Sequence, residues 1–96
     1  MTYEEAISRP GVTLIEFYAS WCPHCKRMMP VVDELKELVG GNVAVCQYDI
    51  DEYPREAEHA DAHSIPTFII YRNGSEVWRH VGEIAGDELL AAIQSA

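Results

Sequence analysis

This sequence predicts a single α/β domain, residues 1–96, built on a mixed sheet of four strands. Three observations carry the prediction. Apolar runs of strand length alternate with helix-type segments through the first two thirds of the chain, and that alternation implies parallel pairing. Asn73-Gly74 then separates two further strand-like runs, which adds an antiparallel hairpin. Finally, 96 residues of which 48% are hydrophobic suffice for one modest core and not for two.

The elements follow in order. Thr2 and Glu5 have capping-box spacing, so a short helix covers Thr2 to Ser8 and ends at Pro10-Gly11. Val12 to Tyr18 is apolar on both parities, as a central strand buried on both faces requires. Met28, Val31, Val32, Leu35 and Leu38 recur at three- and four-residue spacing and predict a helix from Cys22 to Val39. Pro30 should kink that helix, and Gly40-Gly41 should stop it. Val43 to Tyr48 reads as a second buried strand. Pro54 suits the first turn of a helix running to near Ala62. Pro66 to Tyr71 and Glu76 to Val81 are the hairpin strands; Gly82 interrupts, and Leu89, Leu90 and Ile93 give a terminal helix its apolar face.

Charge narrows the function classes. Sixteen Asp and Glu stand against 7 Lys and Arg, a formal net charge of −9. That balance argues against binding nucleic acid or an anionic membrane surface, and reads as a solvated, self-repelling exterior. No apolar run is long enough to span a bilayer. Met1 to Glu5 lacks the basic region and apolar stretch of a signal peptide, so a cytoplasmic location is expected unless a leader has been removed. A monomer is the default expectation. Of the three cysteines, two form one close pair and the third stands alone, a pattern of redox chemistry rather than of stapling.

The close pair is Cys22-Pro23-His24-Cys25. Cys22 falls where a strand has ended and a helix begins, with Pro23 at the first helical position. Free N–H groups and the positive end of the helix dipole therefore face its sulfur and favour the thiolate, the nucleophile of disulfide exchange. Cys25 lies one turn on, on the same side, where it can resolve a mixed disulfide. Zinc is the rival reading of such a pair, but a structural zinc needs four ligands and no second pair is present. His24 is placed to tune the Cys22 thiolate through its imidazole, which would make the pair more oxidising. Glu16 interrupts a strand that should be buried; an unpaired buried carboxyl keeps its proton, and one below the dithiol can exchange the Cys25 proton directly or through water. Cys46, His59, His63, His80, Trp78, Tyr71 and the Asp49 to Glu52 cluster read as structural, and Met28 and Met29 as core or rim of the docking surface.

Phe17-Tyr18-Ala19-Ser20-Trp21-Cys22, Cys25-Lys26, Pro30, Ile65-Pro66-Thr67, Asn73-Gly74 and Val81-Gly82 together resemble the thioredoxin superfamily, in one register over essentially the whole chain. The resemblance implies a thioredoxin fold, with helices flanking the central sheet. It implies a cis bond before Pro66, with that proline against the dithiol. It also implies a substrate-docking surface that uses Trp21, the backbone of Ile65, and Gly82. The activity implied is exchange of dithiol and disulfide with protein substrates, with no cofactor beyond the Cys22–Cys25 pair and a flavoprotein reductase as electron donor if the chain works as a reductant. Four positions depart from the reducing members: Pro23 and His24 between the cysteines resemble the periplasmic oxidants, Glu16 replaces the commoner Asp, and Gln47 stands where many members have a Lys near the buried acid. Lacking that charge, Glu16 should be harder to ionise. A disulfide reductase is the leading reading. An oxidase or isomerase is the alternative within the same chemistry, and a non-redox adaptor is the alternative from another class.

Overall fold

Capping chemistry sets the first element. Helix α1 (Tyr3–Ser8) starts with Thr2 Oγ1 accepting from the Glu5 N–H at 3.1 Å and Glu5 Oε1 accepting from the Thr2 N–H at 2.9 Å. Beyond it, the computed structural model describes all 96 residues as β1 (Val12–Tyr18), α2 (Pro23–Val39), β2 (Val43–Asp49), α3 (Pro54–His59), β3 (Thr67–Arg72), β4 (Ser75–Val81) and α4 (Gly86–Ser95). The predicted order of elements is the observed one. The Gly40-Gly41 stop is a single 3-10 turn, Gly40–Asn42, and α2 runs through Pro30 without a break.

The sheet order is β2-β1-β3-β4, with β1 parallel to β2 and the other neighbours antiparallel. Position in that order explains a correction. Val43 to Tyr48 was expected to be buried, yet only Tyr48 is; β2 is an edge strand, half-covered, and Cys46 sits there against the core rather than inside it. Strand β1 lies between two neighbours and is buried from Thr13 to Phe17.

Strand alternation sorts β1 between two layers. Ile15 and Phe17 face the side covered by α1 and α3, with Tyr3, Tyr48 and Ile69. Leu14 faces α2 and α4, with Met28, Leu35, Phe68 and Leu89. By the same parity Glu16 points to the α2 side, which is the side of the cysteines.

Helix α3 stops at His59, three residues before the expected end near Ala62. The Ala62 N–H returns to the Ala57 carbonyl at 2.9 Å and the Asp61 N–H to that of Glu58 at 3.1 Å, with Asp61 at φ 57°. This is a Schellman stop, hidden in the sequence because Asp holds the left-handed position that Gly usually takes. At the hairpin, Asn73 and Gly74 both have positive φ, 50° and 87°, as a two-residue turn of this hand demands.

Candidate active site

The site is assembled where β1 hands over to α2. Cys22 is the N-cap of α2, in extended conformation at φ −85° and ψ 119°, and Pro23 opens the helix. Cys22 is 5% exposed and Cys25 1% exposed, and both are free thiols packed with Ala19 and Ile65. A groove of about 280 Å³ lined by Tyr18, Ala19, Ser20, Cys25, Lys26 and Met29 borders Cys25. Met28 is core, and Met29 is the one at the rim.

The two thiols are driven apart in acidity. Burial by itself raises Cys22, but the N–H groups of Cys25 and His24, the Cys25 thiol and the Arg27 charge outweigh it, so Cys22 ends below the ordinary thiol value. Cys25 is pushed up to about 12, first by burial and then by the Cys22 sulfur and the Glu16 charge, against a hydrogen bond from the Ala19 backbone.

The His24 ring points elsewhere than expected. Its Nδ1 lies 2.7 Å from Glu83 Oε2, so with its proton on Nδ1 the ring donates to that carboxylate. What His24 gives Cys22 is its backbone N–H. Arg27 completes the cluster, its Nε and Nη2 donating to Glu83 at 3.0 and 2.7 Å. Hydrogen bonds from Arg27 and His24 hold Glu83 down at about 2. A carboxylate depressed in this way keeps the cluster intact above the ordinary Glu range and loses it only as the pH falls toward 2. Glu83 and Arg27 were missed from the sequence; the three-residue spacing of His24 and Arg27 is a visible signal, whereas Glu83 is joined to them only by the fold. Arg27→Met should raise the Cys22 midpoint by roughly 0.3 to 0.5 pH unit, read from thiolate absorbance against pH. An unchanged midpoint would assign Arg27 to Glu83 alone.

Opposite the cysteines, the Ile65-Pro66 bond is cis and Pro66 is buried. Its carbonyl accepts from the Gly82 N–H at 2.8 Å, which ties Gly82 to the proline. Gly82 has φ 98°, a region that L side chains rarely adopt, and nothing lies within 4 Å of where a Cβ would stand, so the space above it is open. Trp21 is 62% exposed and is no core residue; its Nε1 donates to Asp51 Oδ2 at 2.9 Å, which fixes the indole at the rim. Asp51, read as part of a structural acidic cluster, thus holds a site residue in place.

Glu16 is fully buried beneath this surface. Burial raises its pKa, against a hydrogen bond from Gln47 and the more distant charge of Lys36, both of which lower it. Glu16 is harder to ionise, as expected with Gln at position 47, and the cation nearest in the network, Lys36, reaches it only through Gln47. The remaining histidines are accounted for locally, His59 by the Tyr3 hydroxyl, His63 by Asp61 and His80 by stacking on Trp78. No group of three or more His, Cys, Asp or Glu side chains is placed to hold a metal ion.

A mixed four-stranded sheet with a reactive Cys-x-x-Cys pair capping its long helix defines a thiol–disulfide oxidoreductase. Comparison with known proteins names the family. The family model described as Thioredoxin matches residues 1–95. Thioredoxin of Chlamydia trachomatis is 41% identical over 83 residues, 86% of this chain and 80% of that one. The chloroplastic thioredoxin Y of rice is 35% identical over 86% of this chain, which spans only 49% of that longer relative. Among solved structures, a mutant thioredoxin from Halobacterium salinarum superposes with a TM-score of 0.86 at 33% identity, over 96% of this chain and 80% of that one. This chain belongs to the thioredoxin family, whose members act on the disulfides of other proteins.

Proposed function

We propose that this chain reduces protein disulfides. The Cys22 thiolate attacks one sulfur of a substrate disulfide and forms a Cys22–substrate disulfide, releasing the other substrate sulfur as a thiolate. Cys25, its proton passed to Glu16, then attacks the Cys22 sulfur. The Cys22–Cys25 disulfide forms and the second substrate thiolate leaves. Two electrons have moved from the chain to the substrate. Trp21, the backbone of Ile65, and Gly82 form the docking rim, Pro66 backs the dithiol, and Pro23 and the N–H of His24 set the Cys22 thiolate. A flavoprotein disulfide reductase returns the electrons, no cofactor is held by the chain itself, and it acts as a monomer in the cytoplasm, where thiols are kept reduced.

The observation that carries this reading is the asymmetry of the pair: an acidified Cys22 at the mouth of the site, and a Cys25 held at about 12 beside a buried carboxyl. The relatives carrying the name thioredoxin support it over an oxidase or isomerase. The orientation of the His24 ring supports it as well, since an imidazole turned to Glu83 does less to stabilise the Cys22 thiolate and so makes the pair less oxidising. The test is to mix the pre-reduced chain with a disulfide-linked protein such as insulin and count the thiols released. Stoichiometric reduction, renewed by a flavoprotein reductase, is expected. If the pre-reduced chain leaves the disulfides intact while its oxidised form introduces disulfides into a reduced protein, the oxidase reading replaces this one.

A further inference from the structure

Three side chains form a line from the surface to the buried acid. Lys36 Nζ on α2 donates to Gln47 Oε1 on β2 at 2.6 Å, and Gln47 Nε2 donates to Glu16 Oε1 at 2.9 Å. Glu16 Oε2 is the one buried side-chain polar atom with no hydrogen-bond partner.

Donor and acceptor chemistry leaves this line only one arrangement. An ammonium has three donors and no acceptor, so Lys36 admits Gln47 only with its amide oxygen outward and its NH2 inward. An inward NH2 only donates, so Glu16 Oε1 has to accept whether the carboxyl is charged or neutral. The carbonyl oxygen of a neutral carboxyl is its better acceptor, so this bond favours the proton of neutral Glu16 on Oε2. Resting on the reading that Glu16 exchanges the Cys25 proton, we propose that Lys36 and Gln47 are positioning residues, a relay that fixes Oε2 as the proton-exchanging atom and brings the influence of an exposed cation to a carboxyl no cation touches. The other groups facing Glu16 do not supply this: α2 adds Asp33 and Cys25, β3 places Phe68 opposite it, and Tyr18 follows on its own strand. Asp33 opposes ionisation, and Lys36 is the one cation that favours it.

The experiment follows the Glu16 Cδ resonance of 13C-labelled protein against pH, in the disulfide form so that neither thiol titrates beside it. Lys36→Met should raise the Glu16 midpoint by roughly 0.5 to 1 pH unit, and Lys36→Arg, which also only donates, should stay within about 0.2 of the parent. Gln47→Leu should raise the midpoint as well, and adding Lys36→Met to it should move it by less than about 0.2, since both act through one path. Gln47→Met replaces Gln47→Leu if the latter folds poorly; Lys36 is exposed, so its variants carry little risk to the fold. An unmoved midpoint in Lys36→Met overturns the relay. So does an equal rise with and without the Gln47 amide, which would mean that the charge acts through space. The titration uses no substrate, so a failed relay leaves disulfide reduction standing, and a failed reduction assay leaves the relay standing.

Discussion

Cys25→Ser is expected to freeze the chain as a mixed disulfide with its substrate, with turnover falling at least about 10³-fold. The reason lies in the division of labour at the helix N-terminus. Cys22 keeps the N–H groups and the Arg27 charge that favour its thiolate, so attack survives the substitution. Release does not survive, because the only sulfur packed against Cys22 is that of Cys25. Mass spectrometry after incubation with a disulfide-linked protein should show one covalent adduct per chain, lost on adding a small dithiol. Cys22→Ser should give no adduct at the site and a similar loss of turnover, since Cys25 is 1% exposed and held at about 12, while the third thiol, Cys46 on β2, is raised by burial. Adducts on Cys25 in the Cys22→Ser variant would reverse the assigned order of the two sulfurs.

Glu16→Gln should separate stability from catalysis. The carboxyl is fully buried with one oxygen unpartnered, so its folded pKa lies above the unfolded value of about 4.3. The folded state then holds a proton that the unfolded state has already released. The stability linked to that proton is fully present below about pH 4.3 and is lost as the pH rises through the folded midpoint. An amide of the same shape carries no such penalty, and its oxygen can still accept from Gln47. Urea unfolding should find parent and variant nearly equal at pH 4, with the variant the more stable at pH 8 and the gap opening as the pH rises between them. Resolution of the mixed disulfide at neutral pH should slow by roughly 10²-fold, the usual worth of a positioned acid–base group. A constant stability difference across pH would mean that Glu16 is solvated. Unchanged resolution would remove it from the reaction.

These three substitutions fall on residues that the sequence makes visible, because their signals are local. Cys22 and Cys25 announce themselves through spacing, Pro23 through its position at a helix start, and Glu16 as a charge in an apolar strand. The Thr2–Glu5 box and the Asn73-Gly74 turn are equally short-range. What stayed hidden depends on contacts between distant segments. Glu83 meets His24 across 59 residues, Asp51 meets Trp21 across 30, and Gln47 meets Glu16 across 31. No periodicity reports such pairs. The half-exposure of β2 depended on its place at the sheet edge, which strand order decides and an apolar run cannot. The Asp61 stop escaped because the residue usually diagnostic of that geometry is Gly.

The reduction potential of the Cys22–Cys25 pair tests the central claim most directly. The chain is equilibrated in defined thiol–disulfide buffers, its thiols are trapped by alkylation, and the two forms are counted by mass. With the His24 ring turned to Glu83 and the Arg27 charge shared with the same carboxylate, the account predicts a value closer to the ~−270 mV of thioredoxin than to the ~−120 mV of a strong periplasmic oxidant. A value near the latter would contradict it: the Pro23-His24 pair would then govern the potential, and the chain would be built to make disulfides rather than to reduce them.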